Sequence, residues 1–280
     1  MMQNLAVRDK TPEEVELNKK QRVLERLKDR LAQTEEDMAD LRGEMEQFEA
    51  QYSMQVGRLY AEFDEVEALI AEEELKLVPD DEGIKKRIEE LRRHAEELAR
   101  KAAEAENSAQ ADWKPTTEAK KAYHDLARTI HPDLAVDAVE KERRHILMAE
   151  LNAAYRSGDQ AKLDQLAEEY RVSPDMVSGS SIGDELVRVI RQIFQVKNRM
   201  SVLADERVET ESSELYELRQ QAISEAAEGR DMLAQLAART AVHIRKATRR
   251  LENLKNVNIA AEEYVKETFG VDIEEFREKV

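Results

Sequence analysis

The chain has 280 residues, 61 Asp or Glu against 44 Lys or Arg, and a formal charge of −17. It has no Cys, which excludes a disulfide scaffold, a thiolate zinc site and an iron–sulfur centre. With 8 Gly, 5 Pro and 5% aromatics it reads as long helices whose apolar residues line narrow seams, not as one large core.

The N-terminal stretch opens on Thr11-Pro12-Glu13-Glu14, an N-cap, a proline at the first helical position and a capping-box glutamate. From there to residue 78 no proline occurs. Leu17, Leu24, Leu27, Leu31, Met38, Leu41, Met45, Phe48 and Tyr52 recur at alternating three and four. Val56, Leu59, Phe63, Val66 and Ile70 continue in a second seam. This is the period of a coiled coil. Residues 35–82 hold 17 acidic and 3 basic side chains, a net of −14. Such a run reads either as a solvated helix face or as an acidic docking surface for a basic partner.

Pro79-Asp80-Asp81-Glu82-Gly83 breaks the helix. Ile84, Ile88, Leu91, Ala95, Leu98 and Ala102 start a return helix, so an antiparallel hairpin is expected. The return helix is too short to cover the whole of the first. The N-terminal half of the long helix needs another partner, either a second copy of the chain or the C-terminal helices.

The middle of the chain holds Lys120-Lys121-Ala122-Tyr123-His124-Asp125-Leu126-Ala127-Arg128-Thr129-Ile130-His131-Pro132-Asp133. Ala122, Tyr123, Leu126 and Ile130 form one apolar helical face, with Lys120, Lys121 and Arg128 turned to solvent. Pro132 pushes His131 out of helical geometry and ends the helix. A second helix from about Val139 to Ser157 carries Ile146, Leu147, Leu151, Ala154 and Tyr155, stopped by Gly158-Asp159. The two pack as a hairpin with His131-Pro132-Asp133 at its open end.

This block resembles the J-domain family, the co-chaperones of DnaK-type heat-shock ATPases. Lys121-Ala122-Tyr123-x-x-Leu126-Ala127 is similar to the family's second helix. His131-Pro132-Asp133 is similar to its diagnostic loop, and Glu150-Leu151-Asn152-Ala153-Ala154-Tyr155 to its third helix. The resemblance implies that His131, Pro132 and Asp133, with the basic residues Lys120, Lys121 and Arg128, dock on an ATP-bound DnaK-type chaperone and stimulate its ATPase. Asp133 would offer a carboxylate to a cationic group, and the basic residues would steer encounter with an acidic surface. The sequence departs from the family in two places. Ala111-Asp112-Trp113-Lys114-Pro115 stands where the first helix and its Y-x-x-L-G signature belong, so the return helix or Trp113 is expected to cover that side. His124 and Asp125 occupy positions that are often basic in the family.

Ser173-Pro174 through Gly183 reads as a linker. One helix then runs from Ile182 to about Glu206, another from about Ser213 to Leu254, and a short one from Ile273 to Lys279. Arg245, Lys246, Arg249, Arg250 and Lys255 form a basic cluster. It reads as charge pairing with the acidic helix, or as a site for nucleic acid or anionic lipid.

No metal site is expected. The five histidines, His94, His124, His131, His145 and His243, include no pair at zinc-helix spacing. No phosphate loop or nucleophile motif appears, so neither a cofactor nor an active site is expected. The first 30 residues carry both charge signs and no signal-like apolar run, and no segment is apolar enough to span a membrane. A cytoplasmic protein without membrane or nucleic-acid partners is expected.

The expected fold is all-α. A long antiparallel coiled-coil hairpin occupies 1–111, a J-domain-like module 112–172, a linker 173–183, and long C-terminal helices 184–280. The leading functional expectation is a co-chaperone or adaptor that recruits a DnaK-type ATPase to a client held by coiled-coil arms. The alternative is a structural scaffold that keeps the J-like hairpin only as a packing module.

Overall fold

The computed structural model describes residues 11–108, 115–135, 137–171 and 181–270. The described residues are mostly helical and include no strand, so the fold is all-α. The α-helices among them are α1 (Pro12–Tyr52), α2 (Arg58–Leu75), α3 (Glu82–Ser108), α4 (Thr117–Ile130), α5 (Ala138–Ser157), α6 (Gln160–Arg171), α7 (Ile182–Glu211), α8 (Glu214–Ala227) and α9 (Met232–Phe269). No helix among the described residues is long and apolar enough to cross a membrane.

The start of α1 is the capping box that its sequence encodes. The Thr11 amide donates to Glu14 Oε2 at 2.8 Å, and the Glu14 amide donates back to Thr11 Oγ1 at 3.3 Å. A π turn at Ser53–Gly57 interrupts the long helix and joins α1 to α2. The apolar spacing explains its position. Phe48, Tyr52 and Val56 follow at two successive steps of four, which a regular three–four seam does not hold. A π turn absorbs the extra residue and keeps Val56 fully buried.

The chain forms two compact units, each built from separate stretches: Met1–Glu46 with Gln110–Glu217, and Gln47–Ala109 with Leu218–Val280. The contiguous boundaries drawn from composition do not follow these units. The reason is physical. Residues 17–41 bury their seam against α7, far along the chain, and α9 buries its own against α2.

In the first unit α1 and α7 run parallel. Gln21 Nε2 donates to Glu185 at 3.0 Å, Arg199 Nε donates to Glu35 at 2.7 Å, and Arg42 pairs with Glu206; each pair is 164 residues apart. A constant offset is the mark of parallel helices. Leu17, Leu24, Leu31 and Met38 form one buried column with Val189, Val196 and Leu203, flanked by Leu27, Leu41, Leu186, Ile193 and Met200. Burying each such side chain stabilises by about 1.5–3 kcal/mol. Of the two partners open to the N-terminal half of α1, a C-terminal helix of the same chain fills the place.

The J-like block folds as three helices. α4 packs on α5 and α6, with Tyr123, Leu126, Ile130, Leu151, Tyr155, Leu163 and Leu166 in its core. The ring centroids of Tyr123 and Tyr155 lie 4.6 Å apart. Thr116 and Asp137 cap α4 and α5. Gly158 ends α5 with φ 71°, the left-handed geometry that glycine adopts without a Cβ clash. Most of the expected linker lies outside the described residues, but Ser181 caps α7 by accepting from the Asp184 amide.

In the second unit α2 and α3 make an antiparallel hairpin. His94 Nδ1 meets Asp64 at 2.6 Å and Arg87 meets Glu67 at 3.0 Å. α9 packs beside α2 through Ile70, Ala247 and Leu251. Arg250 reaches Glu74 at 2.6 Å, so this member of the basic cluster does pair with the acidic helix. The single helix expected over 213–254 is instead two. They break at Gly229 (φ 78°), and Asp231 caps the second by accepting from the Ala234 amide. The expected terminal helix at 273–279 falls outside the described residues.

Candidate functional site: the His-Pro-Asp turn

Three elements converge on residues 131–134. α4 ends at Ile130 because Pro132 forbids helical backbone at His131, which adopts φ −56° and ψ 130°. Pro132–Leu134 then close one turn of 3₁₀ helix, with the Leu134 amide donating to the His131 carbonyl at 3.0 Å. Side chains of α1 and α7, in the same unit, close over this turn.

The turn lies at the end of the hairpin, as its sequence implies, but it is not presented outward. His131 is 3% exposed and Pro132 is buried. The Asp133 amide donates to His131 Nδ1 at 3.2 Å. That bond leaves the ring proton on Nε2, which donates to Glu35 Oε1 at 3.1 Å. Glu35, on α1, is itself 4% exposed. Arg199 of α7 holds it in a two-pronged grip, Nε to Oε1 at 2.7 Å and Nη2 to Oε2 at 3.1 Å. The remaining guanidinium nitrogen of Arg199 donates to Glu206 at 3.0 Å. On the far side of the turn, Gln192 of α7 donates to the Leu134 carbonyl at 2.9 Å, and Leu134 joins the α1–α7 seam.

The other residues implicated by the resemblance are mostly engaged too. Asp133 pairs with Lys141 of α5 at 3.3 Å. Lys120 donates to Asp40 of α1, whose other oxygen accepts from the Tyr155 hydroxyl at 2.7 Å. Arg128 pairs with Glu25 at 2.7 Å and with Asp29. Lys121 is exposed, with no ion pair among the described residues. Acidic residues of α1 therefore meet the basic face of α4 from within the chain. They occupy the position in which the resemblance would place an acidic partner surface.

α1 also covers the side of the α4–α6 core on which the resemblance would place a first helix. Ala32 is buried in the core of the J-like block and Ala39 packs against it. The sequence points to the return helix or Trp113 for that cover. The return helix, α3, belongs to the other compact unit, and Trp113 lies outside the described residues. Sequence reasoning does not find Glu35, Asp40 or Arg199. The one legible trace is the gap in the apolar stripe between Leu31 and Met38, where α1 turns small and acidic residues toward α4.

Burial alone would push Glu35 toward protonation. The hydrogen bonds from His131 and Arg199, with the charge of Arg199, outweigh it and hold the carboxyl below its ordinary value of 4.5. A lowered folded value means that the contribution is fully present above about pH 4.5 and is lost as pH falls through the folded value. Neighbouring Glu36 has the opposite sign, because burial raises it despite the charge of Lys120. The fold therefore prefers Glu36 protonated, and its contribution grows as pH falls. Urea midpoints between pH 2 and 7 separate the two: Glu35→Gln is expected to flatten the acid loss of stability, and Glu36→Gln to raise stability near pH 7.

No group of carboxylates and histidines able to hold a metal ion occurs among the described residues. Compared with protein family models, curated proteins and solved structures, the chain gives no match.

Proposed function

We propose that the chain is a helical scaffold in which the J-like hairpin serves as an internal packing module. The observation that carries this reading is the burial of His131 and Pro132 beneath α1 and α7, with His131 bonded to the buried Glu35. A loop that docks on an outside ATPase must offer its side chains to solvent, and here two of the three are spent inside the molecule. The basic face adds support, since Lys120 and Arg128 are already neutralised by Asp40, Glu25 and Asp29. Reaching another acidic surface would require these pairs to break first.

The test is a single-turnover ATPase assay of a DnaK-type chaperone from the same cell, with the full chain added. The scaffold reading expects no stimulation by the wild-type chain. Stimulation that His131→Gln abolishes would overturn it.

A second reading is a J-type co-chaperone held closed. It is favoured by the presence of all three family-like segments in order, and by the polar character of the clamp. Gln192 of α7 holds the turn by a hydrogen bond, and Arg199 holds it through Glu35. It expects Arg199→Ala or Gln192→Ala to switch stimulation on, and His131→Gln to remove it again in the double variant.

A further inference from the structure

Residues 186–204 of α7 include no Asp or Glu and four cations, Arg188, Arg191, Lys197 and Arg199, in a chain whose net charge is −17. One face of this segment is the seam against α1. Another face is apolar and uncovered: Val187 is 48% exposed, Ile190 45% and Phe194 69%. Their spacing of three and four places them on one stripe, turned away from Val189, Val196 and Leu203. Arg191 and Lys197 are exposed on the two flanks of the stripe, and neither has a carboxylate partner among the described residues. Arg128, Arg156 and Arg207 of the same unit, by contrast, are matched by Glu25, Glu46 and Glu211.

We infer that this stripe is a docking surface for an acidic amphipathic helix of another protein, laid along α7 as a third helix beside the α1–α7 pair. The three apolar side chains would take anchors at helical spacing from the partner. Arg191 and Lys197 would meet carboxylates on either side of those anchors. Charge decides among occupants. A second copy pairing through the same stripe would set Arg191 and Lys197 against their own counterparts, and like charges across an interface oppose association. An acidic helix both buries the apolar stripe and satisfies its flanks. The inference goes beyond the scaffold reading and does not depend on whether the J-like module meets a chaperone.

Fluorescence anisotropy of the full chain with labelled helical peptides tests it. One peptide carries Leu at positions one, four and eight with Glu flanks, and a second has the same Leu positions with Lys flanks. The acidic peptide is expected to bind at least about tenfold more tightly, with affinity falling as salt rises. Phe194→Ser should weaken it by about tenfold, as loss of a central anchor does. Arg191→Glu with Lys197→Glu should reverse the preference. All three positions are exposed, so circular dichroism should show unchanged helicity and melting. Equal binding of both peptides, or no effect of Phe194→Ser, would overturn the inference. So would Phe194-dependent binding to vesicles of anionic phospholipid in preference to the peptide, or a dimer in light scattering that Phe194→Ser dissociates.

Discussion

Replacing Arg199 by Ala is expected to destabilise the first unit by about 3–5 kcal/mol, the range for removing one partner of a buried ion pair. The cost arises less from the missing hydrogen bonds than from the charge left behind. Glu35 is 4% exposed, and without Arg199 its carboxylate keeps only the hydrogen bond from His131. With the Asp133 amide on Nδ1, the imidazole offers Glu35 a single donor at Nε2, less than the two-pronged grip that Arg199 provides. Glu206 would be left with Arg42 as its remaining cation. Urea denaturation at pH 7 reads the loss. Glu35→Gln with Arg199→Ala should recover part of it, because the neutral amide is cheaper to bury than an unpaired carboxylate. A loss below about 0.5 kcal/mol for Arg199→Ala would mean that Glu35 is hydrated in solution.

Leu151→Ala is the second large effect, expected to cost about 3 kcal/mol. Leu151 has no exposed surface and sits among Tyr123, Ile130, Tyr155 and Leu163. The paired rings of Tyr123 and Tyr155 belong to the same core, and such stiff neighbours do little to fill the space left behind. Ile146 on the same helix is 56% exposed. Ile146→Ala is therefore expected to stay within about 0.5 kcal/mol. Thermal melts of the two variants provide a direct contrast between buried and exposed positions on one helix. Similar losses in both would place the J-like core elsewhere.

Much of this architecture is legible in short-range pattern. The Thr11 capping box, the Pro132 helix end, the Gly158 stop and the core residues Tyr123, Leu126, Leu151 and Tyr155 all follow from local chemistry. What the pattern does not disclose is partnership. A heptad column such as Leu17, Leu24, Leu31 and Met38 states that a partner exists, not which one or in which direction. The parallel pairing with α7 depends on the match of Gln21, Glu35 and Arg42 with Glu185, Arg199 and Glu206, residues far apart along the chain. A place at a hairpin end suggests that His131-Pro132-Asp133 is exposed. The suggestion fails because α1 and α7, which are no part of the hairpin, cross over its tip. The division of the last long helix is hidden for a smaller reason. Gly229-Arg230-Asp231 is a weak break by composition, yet it joins a left-handed glycine to an N-cap.

The acidic bias of residues 35–82 also has two uses that charge counting alone does not separate. Within the first unit, Asp40 and Glu46, with the upstream Glu25 and Asp29, hold cations of the J-like block. Within the second, Glu67 and Glu74 hold Arg87 and Arg250. Both cases are intramolecular neutralisation, so part of the run serves contacts within the chain.

Closure of the His-Pro-Asp turn by the chain's own helices is open to a direct test by thiol chemistry. The chain has no Cys, so His131→Cys introduces a unique reporter. Its labelling rate with a small thiol reagent, in native buffer and in denaturing urea, measures access to position 131 against a matched unfolded reference. Closure predicts native labelling at least about a hundredfold slower than in urea, because labelling must wait for a local opening. It also predicts faster native labelling in the His131→Cys, Arg199→Ala double variant. Native labelling at the urea rate would contradict it.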